Sequence, residues 1–191
     1  MVQGSDNQEY LHKAFDGSTG WLASAGTIFL DASNASDLSD QNNALYGHHM
    51  NDGSMFASLA DFEDQDTFDS HRDIYMLTPQ GNYRLKTFAL VKTTGSDAIV
   101  QTSFANDASY QAYVQDKLNR SVVSQKGDTL TATDIKQSVV FYLRIFAKRR
   151  PCGAVCRCGG NHGSKRPLPE LEHLGDNWSF VKSGRGHGSQ I

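Results

Sequence analysis

The sequence predicts a mostly β fold with short helices on the connections between strands. Three observations support this prediction: short apolar and β-branched runs recur along the chain, a turn signal joins two of them, and the stretches with helical spacing are brief. A chain of 191 residues fits a single domain with one hydrophobic core. Several short strands in one such domain favour a barrel.

The strands are predicted from apolar runs that are bounded by turn residues. These runs are residues 26–31, 43–47, 74–78, 82–91 and 137–141. Pro79-Gln80-Gly81 is a turn signal between two of the runs, so it predicts a β-hairpin there. We expect residues 137–141 to be the last ordered strand.

Helices are predicted from capping residues followed by apolar positions. Asp6, with Glu9 three residues later, predicts an N-cap and a capping box for a short helix. Ser54 opens a short amphipathic segment, and Asn106 or Asp107 caps a helix whose apolar positions follow i, i+3, i+4, i+8 spacing. These helices are the connections in the mostly β domain.

The charge balance changes abruptly after Phe141. Residues 1–141 hold 9 Lys and Arg against 18 Asp and Glu, whereas residues 142–191 hold 9 against 3. The second segment also has 8 of the 17 Gly, 3 of the 4 Pro and all 3 Cys. We therefore divide the chain into a domain at 1–141 and an aberrant, low-structure tail at 142–191.

We find no targeting signal in the sequence as written. It has no run of 18 or more apolar residues, and its first residues form neither a basic nor an apolar segment. As written, the chain is expected to carry no export signal and no anchor of its own. Cys152, Cys156 and Cys158 form an odd-numbered cluster, which does not define the redox compartment.

Two adjacent histidines follow a predicted strand in the run Tyr-Gly-His-His-Met at residues 46–50. A histidine at a strand end can be a general acid or base, a metal ligand, or a hydrogen-bonded loop residue. One alternative is a metal-dependent hydrolase that uses His48 and His49, together with Asp52 and His71. The residue pattern by itself leaves these alternatives open.

The motifs around this run resemble those of class B sortases over residues 2–141. They occur in the order and at the spacing of that family, in the stretches 2–7, 26–31, 45–50, 52–56, 83–94 and 102–107. The resemblance implies a closed β-barrel cysteine transpeptidase, anchored on the outer face of the membrane of Gram-positive bacteria. It also implies that the chain is truncated, because Met1 falls where the family has earlier helices, a first strand and the anchor.

The resemblance implies two partners and no cofactor, metal or nucleic acid. One partner is a sorting-signal peptide in a surface protein or pilin, and the other is an amine on a cell-wall precursor or pilin. By position in the motif, His48 is similar to the family's catalytic histidine, and His49 to an adjacent structural or rim residue. Such enzymes also need a cysteine nucleophile and an arginine that stabilises the oxyanion or positions the substrate.

The nucleophile is missing where the resemblance expects it. In the family a Ser-Thr-Cys motif ends the strand that corresponds to residues 137–141, with the arginine further on. Here Phe141 is followed by Tyr-Leu-Arg-Ile-Phe, so neither the cysteine nor the arginine stands at its expected position. We expect this chain to be inactive and its barrel to be incomplete, because the last strands are missing.

A shift of reading frame accounts for the break at Phe141. Residues 141–146 can be encoded by TTC TAC CTG CGA ATA TTT, and reading from the second nucleotide gives Ser-Thr-Cys-Glu-Tyr. The codons are chosen freely here, so the nucleotide sequence of the coding DNA is the test of this hypothesis.

Other interpretations concern what the tail and the remaining domain do. Cys152, Cys156, Cys158 and His162 could bind zinc, although their spacing is uncommon. The basic residues of the tail could indicate nucleic-acid binding, but a solvated segment is favoured because aromatic residues do not interleave with them. A final alternative is a non-catalytic remnant that binds sorting signals without cutting them.

Overall fold

The computed structural model describes residues 2–20, 23, 25–78, 81–94 and 100–144, and the backbone of residues 174–182. Its strands are β1 (Val2–Gln3), β2 (Phe29–Leu30), β3 (Asn42–His48), β4 (Asp73–Thr78), β5 (Gly81–Thr94), β6 (Gln137–Arg144) and β7 (Leu174–Lys182). Its helices are α1 (Gln65–Ser70) and α2 (Asp107–Arg120), with 3-10 helices at Glu9–Leu11 and Ala57–Glu63. The mostly β prediction is confirmed. None of these helices is long and apolar enough to cross a membrane.

The described strands form one sheet in the order β1-β2-β3-β6-β7-β5-β4. The pairs β1–β2 and β3–β6 are parallel, and the other pairs are antiparallel. The sheet is open between β1 and β4 over the described residues, so the predicted closed barrel is not confirmed. β1 has only two residues, which give β4 little backbone to pair with across the opening.

The predicted hairpin and the predicted strand at 43–47 are confirmed. β4 and β5 pair from Asp73↔Lys86 to Thr78↔Gly81, around a turn whose residues 79 and 80 lie outside the described part. β3 extends one residue beyond the prediction at each end. The run 26–31 contributes only Phe29 and Leu30, because Gly26 adopts φ +61° and Thr27 N donates to Tyr10 O instead of to a strand.

The predicted helices have different outcomes. α2 begins as expected, since Asn106 Oδ1 accepts from Ser109 N at 2.9 Å. The N-terminal helix shortens to a 3-10 turn, and the Glu9 carboxylate accepts from Ser5 N at 3.0 Å, so its predicted reciprocal bond to Asp6 is wrong. The segment after Ser54 becomes the 3-10 helix at 57–63, and α1 follows it without having been predicted.

The predicted end of the ordered chain at Phe141 is wrong. β6 continues to Arg144, across the boundary we placed after Phe141, and residues 174–182 form β7 between β5 and β6. Without β7 the facing edges of β5 and β6 would both carry unpaired backbone groups, so an added strand satisfies two edges at once. The zinc and nucleic-acid interpretations of the tail rest largely on residues 145–173, which lie outside the described residues.

The core lies on both faces of the sheet. One buried cluster joins β3, β5 and β6 to the 3-10 helix at 57–63 and α1, and includes Leu45, Phe56, Phe68, Phe141 and Leu143. A second cluster packs β5 against α2 and includes Phe88, Tyr110, Val114 and Ile135. The first cluster extends along β6 as far as Leu143, next to the last residue of that strand.

Candidate active site

The parallel strands β3 and β6 end at the same edge of the sheet. Their register pairs Tyr46 with Tyr142, Gly47 with Leu143, and His48 with Arg144. Because paired residues of neighbouring strands lie on the same face, positions 142 and 144 share the face of His48. The structure therefore places the end of β6 directly beside the histidine that the sequence singled out.

His48 is buried, with 2% of its surface exposed. Its Nε2 lies 2.8 Å from the backbone oxygen of Leu11, in the N-terminal 3-10 helix. A carbonyl can only accept a hydrogen bond, so Nε2 carries the proton in this contact. In the neutral ring Nδ1 is then the nitrogen that can take up a proton, as a general base must.

A second imidazole stands beside His48. The ring of His12 lies with its centroid 5.8 Å from that of His48, at an interplanar angle of 34°, and His12 is exposed. Sequence reasoning missed this residue, because it lies far from His48 along the chain and no local pattern links the two. The Leu11 contact brings the N-terminal segment over the end of β3 and so brings His12 to the site.

The other side of the strand end is held by the turn that follows it. Phe56 N donates to His48 O at 3.0 Å, and His49 and Met55 form an antiparallel bridge. The Phe56 ring covers Gly47, where an added Cβ would lie 2.6 Å from a ring carbon. His48 thus sits between two segments that hydrogen-bond to it.

Tyr46 shares the face of His48 but cannot act as a base. Its hydroxyl donates to Asp31 Oδ2 at 2.8 Å, and its ring packs between those of Phe29 and Tyr142 at 5.2 Å and 5.3 Å. Burial, followed by the hydrogen bond to the Asp31 carboxylate, raises the pKa of Tyr46 far above its ordinary value. The hydroxyl therefore stays protonated and anchors β3 to the segment after β2.

The residues of the metal alternative do not converge. His49 is half-buried in its bridge, Asp52 Oδ1 accepts from Ser54 N and Oγ, and His71 lies at the end of α1 with Nδ1 3.1 Å from Thr67 O. Over the described ranges, no three His, Cys, Asp or Glu side chains are grouped so that they could hold a metal ion. The geometry does not favour a metal-dependent hydrolase.

Curated sequences with detectable similarity are sortases. The chain is 33% identical to sortase B of Staphylococcus aureus over 124 residues, which cover 65% of this chain and 50% of that protein. It is 34% identical to sortase B of Listeria monocytogenes over 122 residues, covering 64% and 48%. The chain is similar to class B sortases over about two thirds of its length. It spans about half the length of these curated relatives.

Solved structures agree with this assignment. Sortase B from Bacillus anthracis in complex with AAEK1 superposes with a TM-score of 0.70 at 28% identity, covering 95% of this chain and 71% of that one. The fold also matches a Staphylococcus aureus sortase B structure at a TM-score of 0.70 and 24% identity, covering 97% and 75%. No family model matches the chain. The resemblance inferred from the motifs is confirmed at the level of the family.

Proposed function

We propose that the chain derives from a sortase that cleaves a sorting signal in a surface protein and transfers the acyl group to an amine. The acceptor amine belongs to a cell-wall precursor or a pilin, and the parent enzyme works on the outer face of the membrane. The present chain does not complete this reaction. The observation behind this conclusion is that β6 ends in Tyr-Leu-Arg beside His48, where the chemistry needs a thiol.

The proposed reaction moves one proton at a time through His48. A cysteine thiolate adds to the peptide carbonyl, and the imidazolium gives a proton to the departing amine as the C–N bond breaks, leaving a thioester. The incoming amine then attacks the thioester, the neutral imidazole takes its proton, and the thiolate departs. With Nε2 bonded to Leu11 O, Nδ1 of His48 is the nitrogen suited to both transfers.

The residues at the end of β6 cannot replace the thiol. Leu143 has no nucleophilic group and is fully buried, and Tyr142 packs its ring against Tyr46. Cys152, the first cysteine of the chain, follows Arg144 by eight residues in the sequence and lies outside the described residues. His48 is therefore the only member of the catalytic trio that we assign.

We further propose that a change of reading frame after Phe141 removed the nucleophile. The reversal of charge balance at this position and the Ser-Thr-Cys reading of the shifted codons support the proposal. Loss of two nucleotides, as distinct from gain of one, would place the restored Ser, Thr and Cys at positions 142–144, so that the Cys pairs with His48 at the end of β6. Coding DNA whose shifted frame does not read Ser-Thr-Cys around codons 141–146 would exclude it.

A quenched-fluorescent peptide library tests the function directly. The chain is compared with a version whose frame is restored after Phe141, each with and without His48→Ala. We expect cleavage by the restored version only, and loss of that cleavage with His48→Ala. Cleavage by the unrestored chain that His48→Ala and Cys152→Ala each abolish would show that the nucleophile is present after all.

A second candidate function is peptide binding without cleavage. Half-buried Tyr46 and Tyr142 remain beside His48 on one face, although the thiol is missing. The best cleaved library peptide of the restored version, carrying a fluorescent label, provides the probe. Retention of its anisotropy change by the unrestored chain would support a binding remnant, and absence of binding would exclude it.

A further inference from the structure

We propose that Phe56 is a positioning residue for His48, acting through its backbone N–H and through the ring that covers Gly47. The inference rests on the proposed role of His48 as the general acid and base. Phe56 does not touch the reacting atoms, so its effect must reach the imidazole through the end of β3.

The first link is a backbone contact. Phe56 N donates to His48 O at 3.0 Å, which ties the last residue of β3 to the turn that follows it. Next to this hydrogen bond, His49 and Met55 form an antiparallel bridge. Met55 adopts φ 59°, a backbone angle that residues other than glycine rarely adopt. The bridge and the φ angle of Met55 together orient the Phe56 N–H toward His48 O.

The second link is the ring. A Cβ added at Gly47 would lie 2.6 Å, 2.9 Å and 3.0 Å from three carbons of the Phe56 ring. Gly47 is not among the residues with positive φ, so the ring, and not the backbone angle, requires glycine here. The Phe56 ring therefore rests directly on the backbone of the residue before His48.

The third link fixes the ring itself. Phe56 is 7% exposed and meets Phe141 of β6 edge to face, with centroids 5.6 Å apart and an angle of 74°. Gly47 and His48 project to opposite faces of β3, so the ring supports the strand on one face while Leu11 O holds the imidazole on the other. A shift of the ring tilts the strand end and alters the bond between His48 Nε2 and Leu11 O.

The experiment measures the His48 imidazole by two-bond ¹H–¹⁵N NMR in the full chain, with assignment by His48→Gln. Gly47→Ala drives a methyl group into the ring, and we expect it to shift the two ring nitrogens and to reduce the Nε2–H tautomer. Phe56→Ala leaves room for that methyl group, so the double variant should recover part of the shift that Gly47→Ala causes. Phe56→Ala alone should also move the signals, because the support on Gly47 is lost.

A matched control separates positioning from general loss of stability. Phe68→Leu removes ring atoms from the same buried cluster, at a fully buried side chain in α1 that packs on Phe62 and Arg72. We expect it to lower Tm while leaving the His48 signals in place. The proposal is overturned if Phe56→Ala leaves the His48 signals unchanged, or if Phe68→Leu moves them as far.

The two proposals fail separately. The NMR experiment uses no peptide, so unchanged His48 signals would remove the positioning role and leave the proposed sortase ancestry untouched. A restored-frame chain that cleaves no library peptide would remove the function of His48 without changing its NMR signals.

Discussion

Leu143 of β6 lies directly opposite Gly47 of β3, one position before the pair formed by Arg144 and His48. The alternation of a strand therefore separates positions 143 and 144. Position 143 belongs to the buried cluster, whereas position 144 falls on the face of the imidazole. A single step along β6 therefore changes the face of the sheet on which a residue lies.

The first prediction places a thiol at each of these positions, in a chain whose native Cys152, Cys156 and Cys158 are changed to Ser. We expect Arg144→Cys to react with iodoacetamide at least about tenfold faster than Leu143→Cys, because the His48 imidazole can accept the proton of a thiol on its own face and burial protects the other position. The measurement is the alkylation rate at pH 7. Equal rates, or a rate for Arg144→Cys that His48→Ala does not reduce, would contradict the register.

The second prediction concerns the bond between Tyr46 and Asp31. Tyr46→Phe removes a donor to a buried carboxylate, so the free energy of unfolding in urea should fall by about 2 kcal/mol. Tyr75→Phe is the control, since Tyr75 is 69% exposed and should change stability by less than about 0.5 kcal/mol. A loss for Tyr46→Phe no larger than the control would show that the hydroxyl does not anchor β3.

The third prediction is a pH dependence at Asp116. Its hydrogen bond to the buried Lys117 holds the pKa of the Asp116 carboxyl below its ordinary value of 3.8. A lowered folded pKa gives stability that is present above the unfolded pKa and is lost as the pH falls through the folded pKa. Asp116→Asn should therefore cost about 1 kcal/mol at pH 7, a modest figure because the carboxylate is partly exposed, and progressively less below pH 4.

The control for this effect removes the buried cation. In a Lys117→Met background most of the cost of Asp116→Asn should disappear, apart from the weaker contact of Asp116 with Arg120 at 3.4 Å. Unfolding in urea at pH 7 and pH 3 measures the original chain, both single variants and the double variant. A cost that does not shrink at low pH would mean that the ion pair does not contribute to stability.

The fourth prediction addresses β7. A chain that ends at residue 173 leaves the facing edges of β5 and β6 unpaired, so it should unfold without cooperativity and scatter light on standing. A chain that ends at residue 182 keeps the strand and should match the full chain in Tm by circular dichroism. Equal Tm for the two shortened chains would show that residues 174–182 do not belong to the sheet.

Local sequence patterns predicted the helices and strands that are determined by neighbouring residues. The hairpin follows from its turn signal, α2 from its Asn106 cap, and β3 from its apolar run before His48. The strand at residues 174–182 was not predicted, because it depends on pairing with β5 and β6, which are distant in the sequence. The Gly-rich and basic composition of the tail gives no local signal for this pairing. The closed barrel was expected from the family resemblance, and the described sheet remains open.

The candidate site divides in the same way. His48 could be predicted because a motif places it at a strand end. Its burial, its proton on Nε2 and the nearby ring of His12 could not, because they depend on the fold of residues 9–12 over that strand end. The need for glycine at position 47 could not be predicted either, since it arises from contact with the Phe56 ring and not from a turn.

Intact-mass spectrometry of the chain after incubation with the peptide library tests the proposal that His48 is present and the nucleophile is missing. We expect an unmodified mass for this chain and an acyl adduct on the restored-frame version, captured before an amine is added. An acyl adduct on the unrestored chain, mapped to Cys152, Cys156 or Cys158 and absent with His48→Ala, would contradict it.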